Sequence, residues 1–308
     1  MSELILHQYA ESTFSEKVRA LLGYKNATYK QVDTSIIMPR PDLMPLTGGY
    51  RRIPVMQLGA DVYCDTAIMC RVIDDMFPEN TVYPEDSLTT SETFSRWTDT
   101  FFFQVAVGVA FQPSALGNEP LFKDEAAAAA FMADRAQLTE GAAQIGMEFD
   151  VAEAHFISHL SNLDHQLAGS AFLFGHSPCI ADFSTYHLVW FVKQREVLRH
   201  YFEPFEHLDA WYKRIESFGH GDVETIGGDE ALSIAANAQP DEIQDAICLG
   251  GLEAGQQVTV MPIDYGLQPV AGELLASGID EIAVARTDDK AGRIVVHFPR
   301  MGFQVNAV

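Results

Sequence analysis

Basic side chains are scarce in this sequence. Its 308 residues include 20 Lys and Arg against 43 Asp and Glu, which gives a formal net charge of −23. Proteins bind phosphate backbones through clustered Lys and Arg, so this composition argues against a nucleic-acid partner. The first 80 residues are nearly neutral, with eight basic and ten acidic side chains. Five of these basic residues are predicted to be available to an anionic ligand: Lys17, Arg19, Arg40, Arg51 and Arg52.

Cysteine is also rare, and its spacing excludes the common cysteine motifs. The four cysteines show neither C-x-x-C nor zinc-site spacing: Cys64, Cys70, Cys179 and Cys248. His155 and His159 stand four residues apart on a predicted helix, but no third ligand lies at a recognised spacing. We interpret the histidine pair as part of a solvated helix face. The sequence therefore predicts no metal site.

Long apolar runs are missing as well. The longest near-apolar stretch, residues 101–111, is too short to span a bilayer. The first residues, Met1-Ser2-Glu3, have neither the basic start nor the apolar core of a secretory signal. Together with unpaired cysteines, these features predict a cytoplasmic protein with reduced thiols and no membrane partner.

The stretch 50–77 contains the most informative pattern. An apolar strand is interrupted by Pro54, a turn follows at 59–61, and a second short strand leads into Asp65-Thr66 at the start of a helix. A cis bond before Pro54 would let the strand end in a tight turn, and an extended peptide could then pair with the backbone of Ile53. The amide groups at the helix start favour a carboxylate. The pattern predicts a site for a small anionic peptide.

These residues resemble the glutathione site of the glutathione S-transferase family. The resemblance implies that Ile53 and Pro54 bind the cysteinyl backbone of glutathione, and that Asp65 and Thr66 hold its γ-glutamyl end. Thr66 stands where the family has Ser, and the hydroxyl group is kept. The family likeness extends over residues 4–218 and implies glutathione as co-substrate, a small electrophile as second substrate, and a homodimer.

The segment before the first helix supplies the candidate catalytic residues. The run S-T-F-S-E-K-V-R, residues 12–19, resembles the family motif that places Ser12 at the thiol-activating position. A hydroxyl donor and the helix dipole would lower the pKa of the glutathione thiol, and the thiolate is the nucleophile. Tyr9 is the alternative, because other branches of the family use a tyrosine from this loop. Thr13 and Glu16 have capping-box spacing, so the helix is predicted to begin there.

The periodicity of the chain predicts three folded parts. Residues 1–80 read as an α/β thioredoxin-like domain and residues 88–218 as an all-helical domain. Residues 219–249 form a linker with a short helix at 229–238. Residues 250–308 show alternating strands separated by turns, as in a small all-β domain such as an SH3-like barrel. Trp97, Phe101 and Phe102 are predicted on a buried helix face.

The prediction for function is a glutathione S-transferase-like enzyme. The rival is a non-catalytic protein that uses the transferase fold as a binding module, with the β domain as a second docking unit. A thiol–disulfide oxidoreductase is disfavoured, since the first helix has no cysteine at its start.

Overall fold

A computed structural model describes residues 3–118, 121–142, 147–243 and 247–308. Met1-Ser2 and residues 244–246 of the predicted linker lie outside these ranges. The first part alternates strands and helices in the thioredoxin-like order expected. Its elements are β1 (Leu4–Gln8), α1 (Thr13–Tyr24), β2 (Thr28–Asp33), α2 (Met44–Thr47), β3 (Val55–Leu58), β4 (Asp61–Cys64) and α3 (Thr66–Met76).

The start of α1 differs from the predicted capping box. Ser12 is the N-cap, and its Oγ accepts a hydrogen bond from the Ser15 N–H at 3.2 Å. Thr13 lies inside the helix, and its hydroxyl lies 2.8 Å from both the Nδ1 and the carbonyl oxygen of His187. Several short polar side chains follow one another at this helix start, so spacing alone did not identify which of them caps the helix.

The middle part is helical, as predicted. A π-helical turn, Thr98–Phe102, joins the first two of its helices, and a 3-10 turn spans Glu196–Tyr201. The α-helices are α4 (Leu88–Trp97), α5 (Phe103–Ala110), α6 (Pro113–Asn118), α7 (Glu125–Leu138), α8 (Phe149–Leu167), α9 (Ile180–Lys193) and α10 (Glu206–Glu216). No helix in the described part of the chain is both long and apolar enough to cross a membrane.

The π-helical turn changes which aromatic side chains are buried. Phe102 is 1% exposed, whereas Trp97 and Phe101 are each 38% exposed. The prediction of one buried face was therefore wrong for Trp97 and Phe101. A π turn holds an extra residue compared with an α turn, so it shifts the phase of the helix relative to the 3- and 4-residue spacing read from the sequence.

The described residues of the last part form one more helix and six strands. They are β5 (Asp222–Thr225), α11 (Gly228–Asn237), β6 (Gln257–Pro262), β7 (Val270–Ser277), β8 (Glu281–Asp288), β9 (Gly292–Pro299) and β10 (Phe303–Ala307). Strands β6 through β10 lie within residues 250–308, where the sequence predicted strands separated by turns. The sequence did not predict β5, whose four residues are all exposed and which pairs in parallel with β2.

The structure does not confirm an SH3-like barrel. The ten described strands form one sheet in the order β10-β6-β7-β8-β9-β4-β3-β1-β2-β5, so β10 and β5 end the sheet instead of closing it. Strand β9 runs parallel to β4, with Val62 opposite Val296, and the Val295 N–H donates to the Ala60 carbonyl at 3.0 Å. The β4 edge has free backbone donors and acceptors, and the appended strands satisfy them.

The two faces of the sheet have separate cores. Alternate side chains of a strand point to opposite faces. Met56 packs with α1, α3 and the helical part, whereas its neighbour Val55 packs with α2 and the appended strands. Aromatic contacts link Tyr50 with Phe298 and Phe303, the latter two at 0% and 6% exposure. The appended strands thus share a hydrophobic core with the thioredoxin-like part.

Candidate functional site

A cavity of about 350 Å³ lies where the three parts of the chain meet. The thioredoxin-like part contributes Ile53, Pro54, Asp65 and Thr66 to its wall. The other walls come from the end of α4 with the π-helical turn and from two loops of the appended strands. The structure thus brings together, in one cavity, the four residues predicted from the sequence to contact glutathione.

Asp65 and Thr66 occupy the start of α3 in the way the sequence suggested. Asp65 is the N-cap, with φ at +89°, and its Oδ1 accepts the Ala67 N–H at 2.9 Å. Burial raises the pKa of Asp65, although Arg52 and the Ala67 N–H partly oppose the rise. Its ion pair with Arg52 is long, at 3.9 Å from Nη1 to Oδ2. Asp65 also lines the cavity.

The peptide bond between Ile53 and Pro54 is cis. The bond precedes β3, whose residues Val55 to Leu58 pair with β1 on one side and β4 on the other. Ile53 and Pro54 line the cavity next to the start of α3.

Ser12 and Tyr9 lie beside the cavity and are not among the residues that line it. Ser12 is 4% exposed, and its Oγ caps α1 as described above. Because a hydroxyl that accepts a hydrogen bond still has its own hydrogen to donate, this Oγ keeps a donor. The Tyr9 hydroxyl accepts a hydrogen bond from Arg135 Nη2 at 3.4 Å. Phe14, two residues after Ser12, does line the cavity.

A buried polar network connects the cavity wall with the helical part. Lys17, 1% exposed, donates to Asp99 Oδ2 at 2.6 Å and to the Thr66 hydroxyl at 3.5 Å. Asp99 Oδ1 lies 3.1 Å from His187 Nε2, and the other ring nitrogen of His187 contacts Thr13. Burial would raise the pKa of Asp99, but Lys17 and His187 outweigh it and lower the pKa. Burial also lowers the pKa of His187.

Arg52 joins the thioredoxin-like part to the loop after β6. Its Nη2 donates to Asp264 Oδ1 and to the Tyr265 carbonyl. The Arg52 guanidinium carbon lies 3.8 Å from the centre of the Tyr265 ring, a cation–π distance. The same loop reaches α7, because the Gly266 N–H donates to the Leu138 carbonyl at 2.8 Å. Residues of the appended part therefore form one side of the cavity.

The basic residues predicted to be available to an anion are all occupied within the protein. Lys17 pairs with Asp99, and Arg52 with Asp264. Arg19 pairs with Glu16 at 2.8 Å and Arg51 with Asp134, while Arg40 donates to the carbonyls of Ser35 and Ile36 at 2.7 and 2.8 Å. The expectation from the near-neutral charge of residues 1–80 was therefore wrong for this set. Charge counts do not reveal internal pairing.

Several residues of the site gave no signal in the sequence. Asp264 and Tyr265 belong to a turn in the appended part, more than 200 residues from Arg52. Arg96 and Asp99 lie at the end of α4 and in the π-helical turn, where they read as ordinary polar positions. Among the residues described, no group of three or more His, Cys, Asp or Glu side chains is arranged to hold a metal ion.

The predicted histidine pair has a different setting from the one expected. The His159 ring lies 4.3 Å from the ring of Phe102 and 5.0 Å from that of Trp97. Burial lowers the pKa of His159 to about 4. The interpretation of a solvated face therefore does not hold for His159, whereas His155 is exposed. The aromatic side chains that crowd His159 come from α4 and the π-helical turn, a contact that spacing within α8 did not indicate.

Comparison with known proteins shows which proteins this chain is similar to. Residues 6–81 match the family model for the glutathione S-transferase N-terminal domain, and residues 139–218 match that for the C-terminal domain. A search of curated proteins finds no match. A solved GST-like protein from Pseudomonas syringae is 35% identical, with 100% of both chains covered and a TM-score of 0.84.

Two other solved structures share the fold at lower identity. A glutathione S-transferase from Rhodospirillum rubrum F11 is 15% identical, with a TM-score of 0.52. The match covers 70% of this chain and 88% of the Rhodospirillum rubrum chain. The beta-etherase LigF from Sphingobium sp. strain SYK-6 is 19% identical, with a TM-score of 0.51. The match covers 70% of this chain and 96% of the LigF chain. The two family matches and the full-length similarity show that this chain belongs to the glutathione S-transferase family.

Proposed function

We propose that this protein is a glutathione transferase that activates the thiol of glutathione for attack on a small electrophile. The observation that carries the proposal is the cavity shared by Ile53, Pro54, Asp65 and Thr66. In the proposed complex, the cysteinyl backbone of glutathione lies along Ile53 and Pro54. The γ-glutamyl ammonium pairs with Asp65, whose ion pair with Arg52 is long at 3.9 Å, and Thr66 donates its hydroxyl to the γ-glutamyl carboxylate.

Ser12 is the proposed thiol activator, with Tyr9 as the alternative. Ser12 stands at the start of α1, where unpaired amide groups and the helix dipole favour a negative charge. Its hydroxyl hydrogen is available to a thiolate that reaches the N-cap past Phe14. The thiolate sulfur then forms a bond to the electrophilic carbon, and the leaving group departs with the electron pair of the bond that breaks. The cytoplasmic location remains a prediction from the sequence, and the homodimer remains a prediction from the family resemblance.

Asp65→Asn is expected to weaken glutathione binding by roughly 10- to 100-fold, as loss of a charge-assisted hydrogen bond does. Asparagine keeps the cap acceptor and tolerates a positive φ, so the variant removes the charge while leaving the helix start intact. Calorimetric titration with reduced glutathione measures the change. Asp75→Ala is the matched control, because Asp75 is an exposed acidic residue on the same helix. If the wild-type protein does not bind millimolar glutathione, the proposed function is wrong.

Ser12→Ala is expected to leave glutathione bound but to return the pKa of its thiol toward the solution value of about 8.5–9. The absorbance of the thiolate, followed against pH in the bound complex, measures this change. Ser12→Thr keeps both the cap and the hydroxyl and is expected to stay close to wild type. If the pKa of the bound glutathione thiol is unchanged in Ser12→Ala but raised in Tyr9→Phe, then Tyr9 and not Ser12 activates the thiol.

A further inference from the structure

The outer wall of the cavity is apolar and comes largely from the appended strands. Ile263 follows β6, and Met301 lies in the turn between β9 and β10. Both are exposed, at 64% and 62%, and they line the cavity together with Trp97 from α4, which is 38% exposed. Exposed apolar side chains that surround a concavity are typical of a ligand site. These three side chains could contact the apolar body of the second substrate.

Most charged groups of the cavity wall are already paired. Arg52 is bound to Asp264 and Tyr265, Asp99 to Lys17, and Asp65 is the proposed partner of the glutathione ammonium. Arg96 differs, because in the described part of the chain it makes no ion pair. Its Nη1 donates to the Met301 carbonyl at 3.1 Å.

The Met301 contact places the Arg96 guanidinium beside the apolar wall. One hydrogen bond through Nη1 holds the side chain beside the turn between β9 and β10, while the planar group has five donors in all. The remaining donors suit a carboxylate or a similar planar anion, which guanidinium binds through two parallel hydrogen bonds. The arrangement thus combines an apolar surface with a cation that has no acidic partner among the residues described.

We infer that the electrophile of this transferase is an anionic compound with a flat apolar body. The apolar body lies against Trp97, Ile263 and Met301, and its carboxylate or comparable anionic group pairs with Arg96. The inference deepens the proposed function and rests on it. The reaction itself is unchanged: the thiolate sulfur bonds to the electrophilic carbon, the leaving group takes the bonding electrons, and the thiol proton passes to solvent.

Binding of a matched pair of unreactive probes tests the anion site without glutathione. The probes are a dinitrobenzoate and its methyl ester, which share a flat nitroaromatic body and differ in charge. Calorimetry on the full chain is expected to show tighter binding of the acid than of the ester. Arg96→Gln is expected to weaken binding of the acid by about tenfold, the loss expected for hydrogen bonds to a charged group, with less than a twofold change for the ester. Arg96→Lys retains the charge and is expected to keep most of the preference.

Arg71→Gln is the control for removal of a positive charge. Arg71 pairs with Glu92 and is absent from the cavity wall, so its replacement should leave the preference for the acid intact. Equal affinity of the wild-type protein for acid and ester would overturn the inference, and so would an unchanged preference in Arg96→Gln. A further titration with glutathione is expected to give the wild-type affinity in Arg96→Gln. A large loss there would assign Arg96 to the glutathione site and also overturn the inference.

Turnover with a reactive pair separates this inference from the proposed function. A chlorodinitrobenzoate, with its chlorine flanked by both nitro groups, and its methyl ester are the reactive pair: the glutathione sulfur bonds to the ring carbon, the carbon–chlorine bond breaks, and chloride leaves to solvent. Intrinsic reactivity favours the ester equally in both proteins, so the readout is the ratio of kcat/KM for the acid to kcat/KM for the ester, which Arg96→Gln is expected to lower by about tenfold relative to wild type. If the acid probe binds through Arg96 while glutathione neither binds nor reacts, the anion site stands and the proposed transferase function fails.

Discussion

Lys17→Met is expected to destabilise the fold by about 3–5 kcal/mol, the range for removing one partner of a buried ion pair. Lys17 is 1% exposed and contacts Asp99 at 2.6 Å, so methionine would leave the Asp99 carboxylate buried without its cation. The pair also links α1 to the π-helical turn of the helical part. Urea unfolding followed by circular dichroism measures the loss in the free energy of unfolding.

The pH dependence of this effect gives a second readout. His187 Nε2 lies 3.1 Å from Asp99, and in the wild-type protein burial lowers the pKa of His187. Without Lys17, a proton on His187 can supply the missing positive charge. The penalty of Lys17→Met is therefore expected to be smaller near pH 5.5 than near pH 8, on the two sides of the ordinary histidine pKa of about 6.5.

Two further variants test whether the stability loss in Lys17→Met comes from the unpaired Asp99 carboxylate. Lys17→Met combined with Asp99→Asn removes both charges, and the double variant is expected to recover much of the stability lost in Lys17→Met. Lys213→Met is the surface control, because the Lys213 side chain is 68% exposed and solvent screens its pair with Asp209, so its loss is expected to change stability little. A loss of similar size in Lys17→Met and Lys213→Met would contradict the importance of the buried pair.

The order of elements was largely predictable because local patterns determine it. Strands β6 through β10 are short runs rich in apolar residues and separated by turns, so the sequence indicated strands in this region. The edge that β9 joins was not predictable, since backbone groups of any edge strand can pair with it. Strand β5 has four exposed residues and no apolar alternation, so its pairing with β2 left no trace in the sequence pattern.

The sequence predicted some residues of the candidate site and missed others. Ile53, Pro54, Asp65 and Thr66 lie within one short stretch, and the local motif was enough to group them in one cavity. Arg52 belongs to the same stretch, but its partners Asp264 and Tyr265 come from a turn that only the folded sheet brings close. The resemblance to the family covered residues 4–218 and could not indicate that later residues form a cavity wall.

The contact between β4 and β9 contains a histidine placed between two carboxylates. His297 is 5% exposed, its Nε2 lies 2.9 Å from Asp61 Oδ1, and its Nδ1 contacts Glu281. Burial alone would lower the pKa of His297, but the hydrogen bonds and charges of Asp61 and Glu281 outweigh it and raise the pKa. In its imidazolium form His297 pairs with both carboxylates, and its contact with Asp61 joins β9 of the appended part to β4 of the thioredoxin-like part.

The raised pKa fixes the direction of the pH dependence. A group whose pKa is higher in the folded state binds protons more tightly there, so it stabilises the fold fully below its unfolded pKa of about 6.5. This contribution is lost as the pH rises through the folded-state pKa. The free energy of unfolding of the wild-type protein is accordingly expected to fall as the pH rises from about 6 through the folded-state pKa of His297. The contact between β4 and β9 is expected to weaken first.

His297→Gln is expected to lower the free energy of unfolding by about 2–3 kcal/mol near pH 6, the loss typical of hydrogen bonds to charged groups. The difference from wild type should shrink at alkaline pH, where His297 is neutral in both states. Urea unfolding across this pH range measures it, and hydrogen exchange at the Val295 amide, which donates to Ala60, reports on the contact itself. His165→Gln, at an exposed position on α8, is the control. A constant difference between wild type and His297→Gln at all pH values would show that the His297 charge does not fasten the two parts.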